Sequence, residues 1–309
     1  MSLQHKPVLL EETIKYLDPK SGENFIDCTL GGGGHARIIL EKTASSGKLL
    51  AIDLDIKAIE IAKEDLKEFS SRVIYINDNF SNLENIAKVS GLNKFEGILL
   101  DLGLSSIELD DPNRGFSFKK NAFLDMRFGS GGKTASDVLN TYKESELARI
   151  FKEYGEERYS KQIAKEIVSF RGKEKITTTS QLVSIIELVY KNKPRPKIHI
   201  ATKVFQALRI EVNDELNNLK KVLPIASNLL NKGGRIVVIS FHSLEDRIVK
   251  EYFKQESRDC LCPPNVPVCR CNHKASLKIL TKKIIQPSEQ EIKYNPRSRS
   301  AKLRAAQKI

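Results

Sequence analysis

The chain has 309 residues, of which 40 % are hydrophobic and 29 % charged, so it can bury a proper core as one large domain or two ordinary ones and should stay in solution. Its formal charge of +12, from 51 Lys+Arg against 39 Asp+Glu, favours a polyanionic partner, nucleic acid above all, over the plainer account of solubility and Lys-rich composition. No apolar run approaches the ~18 residues of a membrane helix, the start MSLQHKPVLLEE lacks a signal peptide's apolar region, and five cysteines without such a signal suit a reducing compartment; a cytoplasmic protein with no membrane partner is expected.

A βα rhythm fills the first third. Residues 24–30 (NFIDCTL) predict a buried strand, four glycines follow at 31–34, and residues 35–42 (HARIILEK) open a helix. Glycines between a strand and a helix N-terminus suggest a cofactor cradle, because they let the backbone approach a ligand closely; the alternative is a Gly-rich turn. Further strands are predicted at 48–53, 73–77 and 97–102, with a helix over 56–69 whose Ile59, Ala62, Leu66 and Phe69 share one face. Strands alternating with helices imply parallel βαβ units in a doubly wound α/β sheet.

The rhythm then stops. Residues 111–200 are polar, first loop-rich and then helical, with amphipathic helices broken near Gly155 and an exit marked by Pro194 and Pro196. The sheet pattern returns at 235–240 (RIVVIS), after a long helix expected to end at Gly233-Gly234, and a last β-like run covers 277–285. The expected organisation is a first part of a sheet domain at 1–110, a helical insertion at 111–200 and the second part at 201–309.

The glycines do not form a P-loop, since no Lys-Ser or Lys-Thr follows them. The Rossmann fingerprint fits as Gly31, Gly33 and Ala36, with Asp53 about twenty residues on as a ribose acceptor, which leaves dinucleotides and adenosyl cofactors open. Asp27 precedes the glycines, Asp78 and Phe80 follow the third strand, and Asp101 closes the fourth. Phe80 offers an apolar face to an adenine ring. These acidic groups suit a cationic ligand better than a pyrophosphate, and S-adenosyl-L-methionine carries a sulfonium and an ammonium.

The ordered motifs HKPVLLEE from His5, DCTLGGGGHA from Asp27, DLGLSS from Asp101, RGFSF from Arg114, LDMR from Leu124, FQALRIEVNDEL from Phe205, ISFHSLEDR from Ile239 and NPRSRSAKLR from Asn295 resemble the bacterial RsmH (MraW) family over nearly the whole chain. The resemblance implies a class I (Rossmann-like) S-adenosylmethionine methyltransferase sheet with an inserted helical domain. It implies methyl transfer to N4 of a cytosine in the decoding region of 16S ribosomal RNA, with the assembled small ribosomal subunit as partner. The family's cofactor positions fall on Gly33, Gly34, His35, Asp53, Phe80, Asp101 and Glu108; at the last, Ile107-Glu108 stands where relatives carry proline-glutamine. A ribosome-assembly RNA-binding protein with a vestigial pocket and an NAD-linked oxidoreductase are the alternatives.

A cytosine amine needs an acceptor to restore its nucleophilicity and take up developing charge. Asp101 is the first candidate, and it can equally be a cofactor ligand only. His242, in SFHS, is the second, and a loop histidine bonded to backbone is its alternative. Asp101 is followed by Leu-Gly, so the proline-aromatic stacking motif of DNA amino-methyltransferases is not supplied there. The target base must leave its stack, and the expected RNA platform comprises Arg114, Phe116, Phe118, Arg127, Lys191, Lys193, Arg195 and Lys197, unless the two phenylalanines are core. The last four basic residues alternate with prolines and predict a one-sided comb on an extended segment. The tail RSRSAKLR is expected to touch RNA or cover the sheet edge. Cys260, Cys262, Cys269 and Cys271 make C-x-C-x₆-C-x-C; structural zinc sites usually space their cysteines as C-x₂₋₄-C, so free thiols and no metal are expected.

Overall fold

The computed structural model describes residues 7–105, 108–109, 111, 113–263 and 268–309. His5, Lys6, Ile107 and most of the PPNVPV run lie outside them. The described chain divides into two units: one built from residues up to Gly103 and from Leu216 onward, the other from Leu104–Glu215. No helix among the described residues is long and apolar enough to cross a membrane.

The first unit is a seven-stranded sheet in the order β3-β2-β1-β4-β5-β7-β6. Its strands are β1 (Phe25–Asp27), β2 (Leu49–Asp53), β3 (Val73–Asn77), β4 (Phe95–Asp101), β5 (Leu230–Ser240), β6 (Leu277–Ile279) and β7 (Lys302–Lys308). The first five are parallel, and β7 runs antiparallel between β5 and β6. This is the class I, Rossmann-like methyltransferase sheet that the family resemblance implied.

Helices cover both faces, which is why the central strands read as continuous apolar runs rather than alternating ones. Ile26, Leu50, Ile98, Leu100, Ile236 and Val238 pack on one face with Leu219, Val222 and Leu223 of the helix Glu215–Leu229. Phe25, Leu49, Ala51, Leu99, Val237 and Ile239 pack on the other with Ile39 and Leu40 of α2 (Gly34–Lys42) and Ile14 of α1 (Leu10–Leu17).

Two expectations near the end of the sheet differ from what is found. The long helix stops at Leu229, and Gly233 and Gly234 lie inside β5 rather than after the helix. Gly233 takes φ +85°, and the β4–β5 register shifts between Phe95 and Gly97, so the glycines serve an irregularity at the strand's start. The tail RSRSAKLR, expected to touch RNA or cover the sheet edge, instead runs at Lys302–Arg304 into β7, an interior strand between β5 and β6. Leu303, Ala305 and Ala306 are fully buried, and Arg304 among them pairs with Asp246 (2.6 and 3.2 Å).

The second unit is helical. Helices Ala135–Thr141, Glu144–Glu153, Ser160–Arg171, Thr179–Tyr190 and Thr202–Asn213 enclose a core that includes Leu139, Ile150, Phe151, Ile163, Ile167, Leu182, Ile186 and Leu208. The break near Gly155 is steric: a side chain there would press on the carbonyls of Phe151 and Lys203. This unit is wider than residues 111–200 because the apolar stripe Val204, Phe205, Ala207 and Leu208 belongs to its core, beyond Pro194 and Pro196.

In β4, a methyl group on Gly97 would overlap the Phe25 ring, both residues being held by strand pairing. Gly97→Ala is expected to destabilise the sheet unit by about 1–3 kcal/mol through overpacking, read as a lower urea midpoint against wild type.

Candidate functional site

The carboxyl ends of β1, β2 and β4 bring three aspartates to one edge of the first unit, and each is the last residue of its strand: Asp27, Asp53 and Asp101. Parallel pairing sets Asp27 opposite Ala51 and Leu99, two residues short of Asp53 and Asp101, and the crevice beyond such an edge is where open α/β sheets bind ligands.

The glycine loop lies among them. Gly31 and Gly33 adopt φ +51° and +79°, conformations that side chains resist. Gly33 forms the N-cap of α2, so the glycine loop carries the chain from the end of β1 directly into a helix N-terminus, the end that presents N–H groups. A side chain on Gly34 would crowd Pro7 at 3.1 Å. Asp53 anchors the loop from the neighbouring strand: its Oδ2 accepts from Gly31 N (2.8 Å) and its Oδ1 from Asp55 N (2.8 Å). The Asn77 amide fixes the same turn by donating to the carbonyls of Asp53 (2.9 Å) and Leu54 (3.0 Å). Phe80, at the start of a short 3₁₀ turn after β3, is partly buried against the core. Asp78 is tied up locally, accepting from Asn79 N (2.6 Å) and the Asn82 amide (2.8 Å), so the expected bond from Asp78 to an adenine amine competes with these contacts.

Asp101 is the least satisfied of the three. Its Oδ1 is buried with no hydrogen-bond partner, while Oδ2 lies 3.7 Å from His35 Nδ1. Burial pushes its carboxyl well above the usual range, and the charges of Asp27 and Glu245 push the same way. Asp27 is raised to about 7, first by burial and then by Asp53, against a lowering bond from the Thr29 N–H. Burial also raises Asp53, partly offset by its backbone donors. Desolvation disfavours each charged form, and clustering compounds it. His35 is buried on the first turn of α2, with Nε2 3.0 Å from the Val8 carbonyl.

His242 caps the helix Ser243–Glu256. Its Nδ1 accepts from Glu245 N (3.5 Å), and Glu245 Oε2 answers by accepting from Phe241 N (2.8 Å) and His242 N (3.2 Å). Glu245 Oε1 sits 3.2 Å from His242 Nε2, outside hydrogen-bonding geometry. This is the backbone-bonded loop histidine, placed at the end of β5.

Two participants escaped the sequence reading. Thr29 joins β1 to β4: its Oγ accepts from Asp101 N (2.7 Å) while its own N–H donates to Asp27 (3.1 Å). Its adjacency to the glycines was the available signal. Glu245 is 2 % exposed, and its signal was the spacing His-x-x-Glu, a capping-box pattern with histidine in place of serine.

In the second unit, Glu108 accepts from Ser105 N (2.9 Å) and stands 3.9 Å from the Arg114 guanidinium. Arg114 donates to the carbonyls of Arg127 (2.7 Å) and Phe128 (2.6 Å) and covers the Phe116 ring. Phe116 is itself in the core, and Phe118 stacks on His199 at 4.3 Å. Arg127 grips Asp125 through two nitrogens (2.6 and 3.0 Å). Lys191, Arg195 and Lys197 are exposed. The one-sided comb is not formed: Lys191 keeps helical angles (φ −50°, ψ −41°) as the C-cap of the helix Thr179–Tyr190, Lys193 N closes a turn on Tyr190 O (3.1 Å), and the Lys193 ammonium lies 4.1 Å over the Tyr159 ring. Helix termination, not proline, sets the backbone there.

The model of a family described as the MraW methylase family matches residues 2–309. A protein from Caldicellulosiruptor saccharolyticus named ribosomal RNA small subunit methyltransferase H is 52 % identical over 309 residues, covering 99 % of this chain and 99 % of its own. A protein of the same name from Clostridium botulinum is 49 % identical over 310 residues, covering 100 % of both. Among solved structures, an rRNA methylase from Streptococcus thermophilus aligns with a TM-score of 0.43 at 10 % identity, over 97 % of this chain and 93 % of that one.

Because the unfolded Asp27 carboxyl titrates near 4 and the folded one near 7, the folded state holds the extra proton between these values. Asp27's contribution is therefore favourable at pH 4 and is lost as pH rises to 7. Asp27→Asn is expected to leave stability near pH 4 little changed and to raise it above pH 7, by on the order of 2–4 kcal/mol, measured by urea unfolding across that range without ligand.

Proposed function

Since the chain belongs to the MraW methylase family, we propose that it transfers a methyl group from S-adenosyl-L-methionine to N4 of a cytosine in the decoding region of 16S ribosomal RNA, with the small ribosomal subunit as its partner. The names of its relatives support small-subunit RNA as the substrate class. The observation that carries the reading is the buried, unpartnered Oδ1 of Asp101 beside Asp27.

Three raised carboxylates around a glycine loop are costly alone and fit a cation, which would favour their charged forms. The cofactor supplies an already activated methyl group, so this chain's residues need only bind, orient and handle a proton. Gly33 and Gly34 present the open N-terminus of α2. Asp53, already bonded to Gly31 and Asp55, keeps further lone pairs for a ribose diol. Phe80 offers its partly exposed ring to the adenine. Asp101 Oδ1 accepts a hydrogen from the cytosine amine, and its raised affinity for protons makes it a better acceptor than an exposed aspartate. His35 stands beside the other oxygen of Asp101, at 3.7 Å. His242 and Glu245 fix the end of β5 beside it through the capping box.

The test incubates the protein with methyl-labelled S-adenosylmethionine and purified small ribosomal subunits. Label in N4-methylcytosine of 16S RNA is the expected result. Cofactor binding with no transfer would favour the vestigial-pocket alternative, and label on another base would overturn the N4 assignment.

Asp101→Asn keeps the shape and removes the acceptor charge. Turnover is expected to fall by about 100-fold or more, with a much smaller change in S-adenosylhomocysteine affinity by calorimetry. Matched losses would reduce Asp101 to a cofactor ligand.

Of the basic residues expected to meet RNA, Lys191, Arg195 and Lys197 are exposed, whereas Arg114 and Arg127 already hold backbone and carboxylate partners. Replacing these three with Gln is expected to flatten the log–log salt dependence of RNA binding by up to about two units, at ~0.7 per phosphate contact on single strands. A salt titration of binding, wild type against triple variant, reads this directly.

A further inference from the structure

One cluster of nucleophilic side chains in the first unit takes no part in the site described. Cys260, Cys262, Cys269 and Cys271 lie on the irregular segment between the helix Ser243–Glu256 and β6. Their four sulfurs all fall within 4.8 Å of one another. Three of the edges are 3.4 Å (Cys260–Cys269), 3.6 Å (Cys269–Cys271) and 3.8 Å (Cys260–Cys271).

These separations discriminate between chemistries. Disulfide sulfurs stand at ~2.05 Å, and all four thiols are free. A zinc ion with Zn–S bonds of about 2.3 Å in tetrahedral geometry sets S–S edges of roughly 3.8 Å, close to the observed ones. The backbone is arranged to match. Leu261 N–H donates to Cys271 Sγ (3.3 Å), Cys262 N–H to Cys260 Sγ (3.4 Å) and Arg270 N–H to Cys262 Sγ (3.3 Å). Such donors fix the orientation of the sulfurs.

Away from the sulfurs, the hydrogen bonds of the segment's described residues gather at its two ends, where Ser276 meets Glu256 and Ala275 N–H donates to Asp259 (3.3 Å). Cys260, Cys269 and Cys271 are exposed and Cys262 is half-buried, while Leu261 and Val268 point their apolar side chains to solvent. None of its described residues joins any of the three apolar cores. Ordering a chain costs entropy that apolar burial normally offsets; here metal ligation can do so instead.

We propose that Cys260, Cys262, Cys269 and Cys271 form a structural zinc site that staples this loop. Four protein thiolates close the coordination sphere and leave no open position for catalysis. The two short C-x-C arms, unusual as sequence spacing, meet face to face and complete the tetrahedron.

The test uses the full chain, purified under reducing conditions without a metal-affinity step. Elemental mass spectrometry is expected to find about one zinc per chain, and zinc-edge X-ray absorption four sulfurs at ~2.3 Å. Exchange with cobalt(II) should produce the visible bands of a tetrahedral thiolate site. Cys260→Ser/Cys271→Ser should lose the zinc and be cut faster within the loop by protease. Should that variant aggregate, the wild-type metal content and cobalt spectrum decide alone. A metal-free chain whose four loop thiols all react readily with a thiol reagent, a pair of disulfides, or iron in place of zinc would each overturn the proposal.

Discussion

The interaction on which the site depends is an unfavourable one: negative charge held out of water at the ends of three strands. Asp27, Asp53 and Asp101 sit where the apolar sheet meets the glycine loop, and burial lifts all three carboxyls. Backbone donors relieve two of them, Thr29 N–H for Asp27 and Gly31 and Asp55 N–H for Asp53. Asp101 Oδ1 receives none. The fold thus stores a local demand for a cation or a hydrogen-bond donor, and it stores it on rigid elements, which is the condition for preorganised electrostatics.

The surrounding architecture keeps that demand in place. Thr29 ties β1 to β4 through Asp101 N–H, and Asn77 ties the tip of β3 to that of β2. Glu245, buried and bonded to two successive N–H groups, closes the turn after β5. Each strand end is fixed by a side chain from a neighbouring turn, so the carboxylates cannot relax into solvent without breaking sheet-to-turn contacts.

Much of this was legible in the sequence. Residues 73–77 read as a strand and are β3, and the glycine motif, Asp53 and Asp101 fell where a parallel sheet presents ligands, because apolar runs and glycines report directly on burial and backbone angle. β7 was not legible: KLRAAQK carries three basic residues and two alanines, and only its neighbours β5 and β6 make it a strand. The basic comb failed for a related reason. Alternation assumes an extended chain, and the helix ending at Tyr190 overrides it at Lys191. Arg114 and Phe116 looked like RNA contacts because sequence shows the residue type but not that Phe128 and Arg127 carbonyls already occupy the guanidinium.

The position of β7 has a consequence for the order in which the molecule can assemble during synthesis. The sheet unit is discontinuous, its halves separated by the whole helical unit, and β6 pairs with no strand but β7 among the described residues. The helical unit can therefore complete its own core while its neighbour is still half translated. The sheet must wait: β5 lacks one flank, and β6 any partner, until the residues up to Lys308 have left the ribosome. A nascent chain stalled before residue 302 would expose the edge of β5 along Arg235–Ser240, which makes translation of the last strand the step that converts an aggregation-prone intermediate into a closed fold.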